Sequence, residues 1–222
     1  MMKFFIIIKE KSLRVPGKNF LKLGEYPLWR RLVEKLHNHD VFIDTDSDLI
    51  IEECRDMGWV TAYRRKKEHI FLETSSDFKV SPVLKMIERF LDEHVIDDSE
   101  IIITPHVTSP FITLDTIEDA CEKLKYGYDS VLACTEHKEF AYFEGKAINF
   151  NPNEVQKTQN LKPIIMSNGA FFIFTKESFK KNKNNRVGGN PYYYVLQTPE
   201  DVEIDDYNDL KLAQLINKGL CS

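Results

Sequence analysis

Residues 3–45 read KFFIIIKEKSLRVPGKNFLKLGEYPLWRRLVEKLHNHDVFIDT, and the order of apolar periods in this stretch decides the fold. FFIII (4–8) is a short unbroken apolar run, the pattern of a buried strand. In PLWRRLVEKLHNH (27–39) the residues Leu28, Leu32, Val33 and Leu36 fall on one helical face. DVFIDT (40–45) is again a strand, so the order predicts a βαβ unit.

The alternation continues outward from this unit. SDLIIEECRDMG (47–58) predicts a helix with Ser47 or Asp46 as N-cap and a left-handed C-cap at Gly58. WVTAYR (59–64) reads as a strand, Phe78 to His94 as an amphipathic helix, and EIIITPHV (100–107) as a strand. TLDTIEDACEKLKYG (113–127) and DSVLACTE (129–136) repeat the pattern. Residues 138–163 are polar and aromatic with turn signals at EGK and NPN, a hairpin-like excursion. The chain returns with GAFFIFTK (169–176), a solvated loop KKNKNNR (180–186), strand YYYVL (192–196) and a closing helix over 207–219. The expected architecture is α/β: a mostly parallel, doubly wound, Rossmann-like sheet in one domain, 1–222, carrying the excursion.

Composition narrows the function classes. The chain of 222 residues is 42% hydrophobic and 29% charged, and no segment approaches the roughly 20 apolar residues of a membrane span. The N-terminal apolar run lacks a cleavage site, so a cytoplasmic protein is expected. A net charge of −5 disfavours nucleic acid as a partner. Cys54, Cys121, Cys134 and Cys221 show no metal-site or disulfide spacing and read as thiols.

In open α/β sheets ligands collect at the carboxyl ends of strands. After the first strand, KEKSLRVPGKN (9–19) sets Arg14 and Lys18 around a Pro-Gly turn, with Lys9, Ser12 and Asn19 beside them. Arginine forks and lysine point charges suit phosphate oxygens. Late in the chain, Glu203 and Asp205 flank Ile204, and alternation along an extended segment puts both carboxylates on one side. Such a pair suits Mg²⁺, which shares its shell with waters and substrate phosphates.

The ordered motifs LRVPGKN (13–19), LGEYPL (23–28), FIDTDSDLI (42–50), PHVTSPF (105–111), SNGAFFIF (167–174) and VEIDDYNDL (202–210) together resemble the acylneuraminate cytidylyltransferases and, more distantly, the Kdo cytidylyltransferases. The resemblance spans nearly the whole chain and implies a nucleotidyltransferase (GT-A-like) fold. It implies that CMP passes from CTP to an acidic acceptor with release of pyrophosphate, for activation of a surface-glycan building block. Arg14, Lys18 and Asp205 are then catalytic. Lys9, Ser12, Asn19, Thr108 and Ser109 join Arg14 and Lys18 in holding the nucleotide, and Glu203 and Asp205 hold Mg²⁺. His106, Gln159, Asn168 and Gly169 take the acceptor positions, and ETSSDFK (73–79) loosely matches another acceptor segment. The excursion at 138–163, with Phe140, Tyr142, Phe143 and Phe150, corresponds to a homodimerisation arm.

Departures from the family pattern are specific. Lys9-Glu10-Lys11-Ser12 replaces a glycine-containing run, Glu203 stands where an aspartate is usual, and His106 and Ile112 replace glutamine and arginine. Two other readings therefore stand beside the first: the same chemistry on a phosphonate or small phosphorylated acid, and a nucleotide-binding homologue without turnover. His106 reads either as a general base or as a neutral hydrogen-bonding imidazole.

Overall fold

The computed structural model describes residues 2–12, 14–74, 81–95, 97–154 and 156–220. β1 (Met2–Ile8) runs through the basic loop and a single 3-10 turn (Lys18–Phe20) into a small hairpin, β2 (Lys22–Leu23) and β3 (Tyr26–Pro27), and then α1 (Leu28–Lys35). β4 (Asp40–Thr45), α2 (Asp48–Cys54), β5 (Val60–Arg64), α3 (Lys67–Thr74), α4 (Pro82–His94), β6 (Ile101–Pro105), α5 (Leu114–Glu122) and β7 (Ser130–His137) follow. A second hairpin, β8 (Tyr142–Phe143) and β9 (Lys146–Ala147), precedes β10 (Ile164–Thr175), α6 (Lys176–Lys181), β11 (Pro191–Val195) and α7 (Tyr207–Leu220).

The main sheet has the order β11-β7-β10-β6-β1-β4-β5. β10 runs antiparallel to β6 and β7, and the other pairings in this sheet are parallel. Because strand side chains alternate, Phe4, Ile6 and Ile8 pack with Trp29 and Leu32 of α1, Ile50 of α2 and Ile117 of α5. Phe5 faces the other way, against Met86, Ile87 and Phe90 of α4 and Phe179 of α6. Helices thus cover both faces, as the doubly wound reading expects. A third cluster joins Leu23, Leu28, Phe111, Ile204, Leu210 and Ala213, tying α7 and the β2–β3 hairpin to the segment before α7.

Several local expectations need correction. α2 stops at Cys54, and Gly58 is not in the left-handed region. Met57 N donates to Cys54 O and Val60 N to Met57 O, so two successive turns carry the chain into β5 without a glycine-dependent reversal. Ser47 is the N-cap residue, but its hydroxyl makes no capping bond. Residues 176–181, read as the end of a strand and the start of a loop, are helical. Thr175 Oγ1 accepts from Ser178 N and Ser178 Oγ from Thr175 N, a reciprocal cap. α3 was not anticipated at all; it buries His69 and leaves Phe71 71% exposed, so it carries no amphipathic stripe. Residues 75–80, which include the expected start of α4 and most of ETSSDFK, lie outside the described residues.

The excursion forms β8 and β9 around Glu144 and Gly145, both at positive φ. Asn149 secures its neck, donating to Glu139 O and Lys162 O and accepting from Ala141 N. Phe150 packs edge-on to Phe140 and Tyr142, while Tyr142 and Phe143 remain exposed. Cys54, Cys121 and Cys134 are buried free thiols; Cys221 lies outside the described residues. No helix among the described residues is long and apolar enough to cross a membrane.

Candidate active site

Val15-Pro16-Gly17-Lys18 is a type II turn. Lys18 N donates to Val15 O at 3.0 Å, proline occupies the second position, and Gly17 in the third has φ 64° and ψ 20°, a conformation that glycine adopts without a Cβ penalty. Val15 is fully buried and anchors the turn. Asn19 Nδ2 donates to Lys9 O at 2.9 Å, closing the two ends of the basic loop. Glu10 N donates to Asp46 Oδ1 at 2.7 Å, which pins the loop to the end of β4. Glu10 is exposed and does not line the cavity described below, so its charge does not oppose an anion there.

A buried ion pair supports this edge of the sheet. Arg65 Nε donates to Asp44 Oδ1 at 2.6 Å, and Arg65 Nη2 reaches Ile8 O at 3.1 Å, fixing the residue from which the basic loop departs. Neither residue was singled out from sequence, where an isolated Asp and Arg carry no signal of burial.

The turn aims Lys18 inward. Its ammonium donates to Ile204 O at 2.6 Å and lies 3.3 Å from Asp205 Oδ1, and Arg14 Nη2 approaches the same carboxylate oxygen at 2.8 Å. The 203–205 segment belongs to no sheet. Ile204 N donates instead to Thr108 O at 2.7 Å. Ile204 is fully buried and the flanking Glu203 and Asp205 point the other way, toward Thr108 and toward Arg14 and Lys18 respectively. Thr108 Oγ1 donates to Glu203 Oε1 at 3.2 Å. The neighbouring acids serve the following helix instead. Asp206 Oδ1 accepts from Asn208 N and Asp209 N, and Asp209 Oδ2 accepts from Asp206 N, capping α7.

Beside these groups lies a cavity of about 360 Å³ at the carboxyl ends of β1 and β6, a volume within the range of small-molecule sites; Glu203 and Asp205 are not part of its lining and reach it only through their partners Thr108, Lys18 and Arg14. Lys9, Ser12, Arg14, Lys18, Asn19, His106 and Thr108 line it. Ser109 does not line it; it is buried in the following turn, its N donating to His106 O, and its hydroxyl has no partner among the described residues. Gln159 lies exposed in the arm, away from the lining. Asn168 and Gly169 form an irregularity inside β10 in place of a separate turn. Gly169, at φ 78°, packs beneath His106 and Glu203, where a Cβ would meet His106 Nδ1 at 3.5 Å. Asn168 Oδ1 accepts from Ala170 N and steadies the bend.

Burial first, then the charges of Arg186 and Lys18, push the His106 imidazole down to about 4, against an opposing pull from Asp205. It is therefore neutral and only weakly basic near pH 7, and the weak basicity favours the hydrogen-bonding reading over the general base. The unfolded chain takes up this proton near 6.5, so the unfolded state binds more protons between 6.5 and 4, and this group lowers stability as pH falls through that window. The expected result is that the His106 ring resonances stay constant from pH 8 to about 5; a midpoint near 6.5 would refute the assignment. Burial raises the Glu203 carboxyl, and the Asp205 charge raises it further.

Arg186 was missed. It belongs to the run read as a solvated loop, yet it lines the cavity with its guanidinium 3.5 Å from the Phe172 ring centroid. Its local sequence has no distinguishing signal; the antiparallel insertion of β10 brings it there.

The sheet order, the phosphate-suited turn and the facing carboxylates define a nucleotidyltransferase architecture. The Cytidylyltransferase family profile matches residues 6–214, and the chain belongs to the cytidylyltransferase family. The N-acylneuraminate cytidylyltransferase of Streptococcus agalactiae is 26% identical over 224 residues, covering 94% of this chain and 52% of its own length. That of Oncorhynchus mykiss is 24% identical over 222 residues, covering 94% and 48%. The chain thus spans about half the length of these curated relatives. A structure of CMP:2-keto-3-deoxy-manno-octonic acid synthetase complexed with CTP shares the fold, with a TM-score of 0.61 and 12% identity over 98% of this chain and 99% of that one.

Proposed function

We propose that the chain is a Mg²⁺-dependent cytidylyltransferase that transfers CMP from CTP to an acidic acceptor and releases pyrophosphate, activating a building block of a surface glycan. The observation that carries this reading is the position of Lys18, which lines the cavity while bonded to Ile204 O and to Asp205. One ammonium thereby connects the phosphate-suited loop with the carboxylate pair.

Glu203 and Asp205 are the residues that would hold the cation. They are hard oxygen donors close enough for the charge of one to disfavour ionisation of the other, a repulsion that a divalent ion relieves. Bound there, Mg²⁺ supplies charge neutralisation and polarisation of the phosphate oxygens. Arg14 and Lys9 meet the outer phosphates, and Asn19 keeps the loop closed around them. An acceptor oxygen forms the new bond to the α-phosphorus as the bond to the bridging oxygen breaks, and that electron pair leaves with pyrophosphate. Arg14 and Lys18 stabilise the developing charge from fixed positions, so little reorganisation is required. Neutral His106 contributes a hydrogen bond to the acceptor.

The three exposed aromatics of the arm, Phe140, Tyr142 and Phe143, support a homodimer formed through the arm. Pyrophosphate release with CTP, Mg²⁺ and a panel of nonulosonic acids, Kdo, phosphonates and small phosphorylated acids tests the reading, with ATP, GTP and UTP as controls. Release with CTP and one acidic acceptor is expected. A chain that neither binds CTP nor releases pyrophosphate does not have this function.

A further inference from the structure

We propose that Arg186 forms an anion subsite in the cavity, where it pairs with a carboxylate, phosphonate or phosphate group of the acceptor. This rests on the cytidylyltransferase reading and makes the loop between α6 and β11 a determinant of acceptor choice.

Three observations converge. The Arg186 side chain lines the same cavity as Lys18 and His106. Its guanidinium lies over the face of Phe172, a stacked position that fixes the planar fork and leaves its edge N–H donors for an oxyanion. Among the described residues it has neither an acidic partner nor a hydrogen bond, and the two site carboxylates, Glu203 and Asp205, are engaged by Thr108 and by Arg14 and Lys18 instead. Other well-shielded cations in this chain are paired or donate to carbonyls, as Arg65 does to Asp44 and Lys176 to Val95 O. Arg186 instead loses hydration without compensation, and burial alone pulls its guanidinium down to about 10. An oxyanion entering the cavity supplies the missing partner.

The position also constrains the acceptor. The His106 imidazole experiences the charges of both Lys18 and Arg186, and its ring centroid lies 6.0 Å from that of Phe172. It therefore lies close to both the cation of the phosphate-suited loop and the cation of the subsite, in the cavity that all three line. An acceptor whose nucleophilic oxygen meets CTP beside Lys18, and whose oxyanion lies on Arg186, extends past His106. A compact acid with the two groups a few bonds apart fits this arrangement.

The test uses His106 as the reporter in protein carrying ¹³C-labelled histidine. N-acetylneuraminate, as a carboxylate, and phosphonoacetate, as a phosphonate, are titrated separately into the wild-type chain, Arg186→Gln and Arg186→Lys, without nucleotide. Saturable movement of the His106 resonance with at least one probe is expected in the wild type. It should weaken about tenfold or more in Arg186→Gln, the scale of a lost charge-assisted hydrogen bond, with partial recovery in Arg186→Lys. The responding probe distinguishes the two anion classes. Equal response in wild type and Arg186→Gln, or no response to either anion, overturns the subsite. CTP affinity is measured by calorimetry on the wild type. Its absence from the wild type would defeat the cytidylyltransferase reading, while the His106 response would still decide the fate of the subsite.

Discussion

Lys18→Met is expected to lower kcat by about 100- to 1,000-fold, the scale of losing one preorganised electrostatic donor at a developing anion. The effect is large because Lys18 is nearly buried, at 7% exposure, and so acts with weak solvent screening. Methionine retains most of the apolar stem, so the packing around Val15 and Ile204 survives and the ammonium alone is removed. Ile204 O and Asp205 each lose a donor, costing about 1–3 kcal/mol of stability. Asp205 keeps its contact with Arg14, which limits that cost. Steady-state kinetics with CTP and urea unfolding separate the two effects. A kcat within about threefold of wild type, with the fold intact, would remove Lys18 from the transition state.

The sequence exposes those parts of the fold whose cause is local. Five adjacent apolar residues define β1, apolar spacing marks α1, α4, α5 and α7, and Pro16-Gly17 encodes a type II turn that requires positive φ. α6 has only six residues and is set by the Thr175–Ser178 cap, whose bonds resemble those of an ordinary turn until Phe179 is seen in the core. α3 lacks an apolar stripe because its buried member is His69. The site is less local still. Lys18 and Asp205 stand 187 positions apart, and their contact depends on the packing of α7 against the β2–β3 hairpin. The carboxylates were legible from alternation around Ile204, but the partner of that alternation is Thr108 O and not a neighbouring sheet strand. Arg186 lies beyond this kind of reading. A basic residue after lysines and asparagines normally indicates solvent, and only the path of β10 and α6 turns it toward the cavity.

Asp205→Asn provides the second large test because it separates two roles of one carboxylate. Asp205 positions Arg14 and Lys18, and in the proposed mechanism it also holds Mg²⁺. Asparagine preserves shape and still accepts hydrogen bonds, so positioning is only weakened, whereas metal binding loses a charged ligand. The expected loss in kcat/KM is on the order of 100-fold, equivalent to about 2.7 kcal/mol. The apparent Mg²⁺ requirement should move to higher concentration, with activity partly restored there. Removing the negative charge also withdraws one of the influences that raise Glu203. The Glu203 carboxyl then ionises at lower pH, and any acidic limb of the rate profile due to that group moves downward. A purely positioning role predicts otherwise: KM for CTP rises as Arg14 and Lys18 lose their common anchor, while the Mg²⁺ dependence remains that of the wild type. An unshifted Mg²⁺ curve would therefore leave Asp205 as a positioning residue and exclude it as a ligand, and unchanged kcat/KM would remove it from the site altogether.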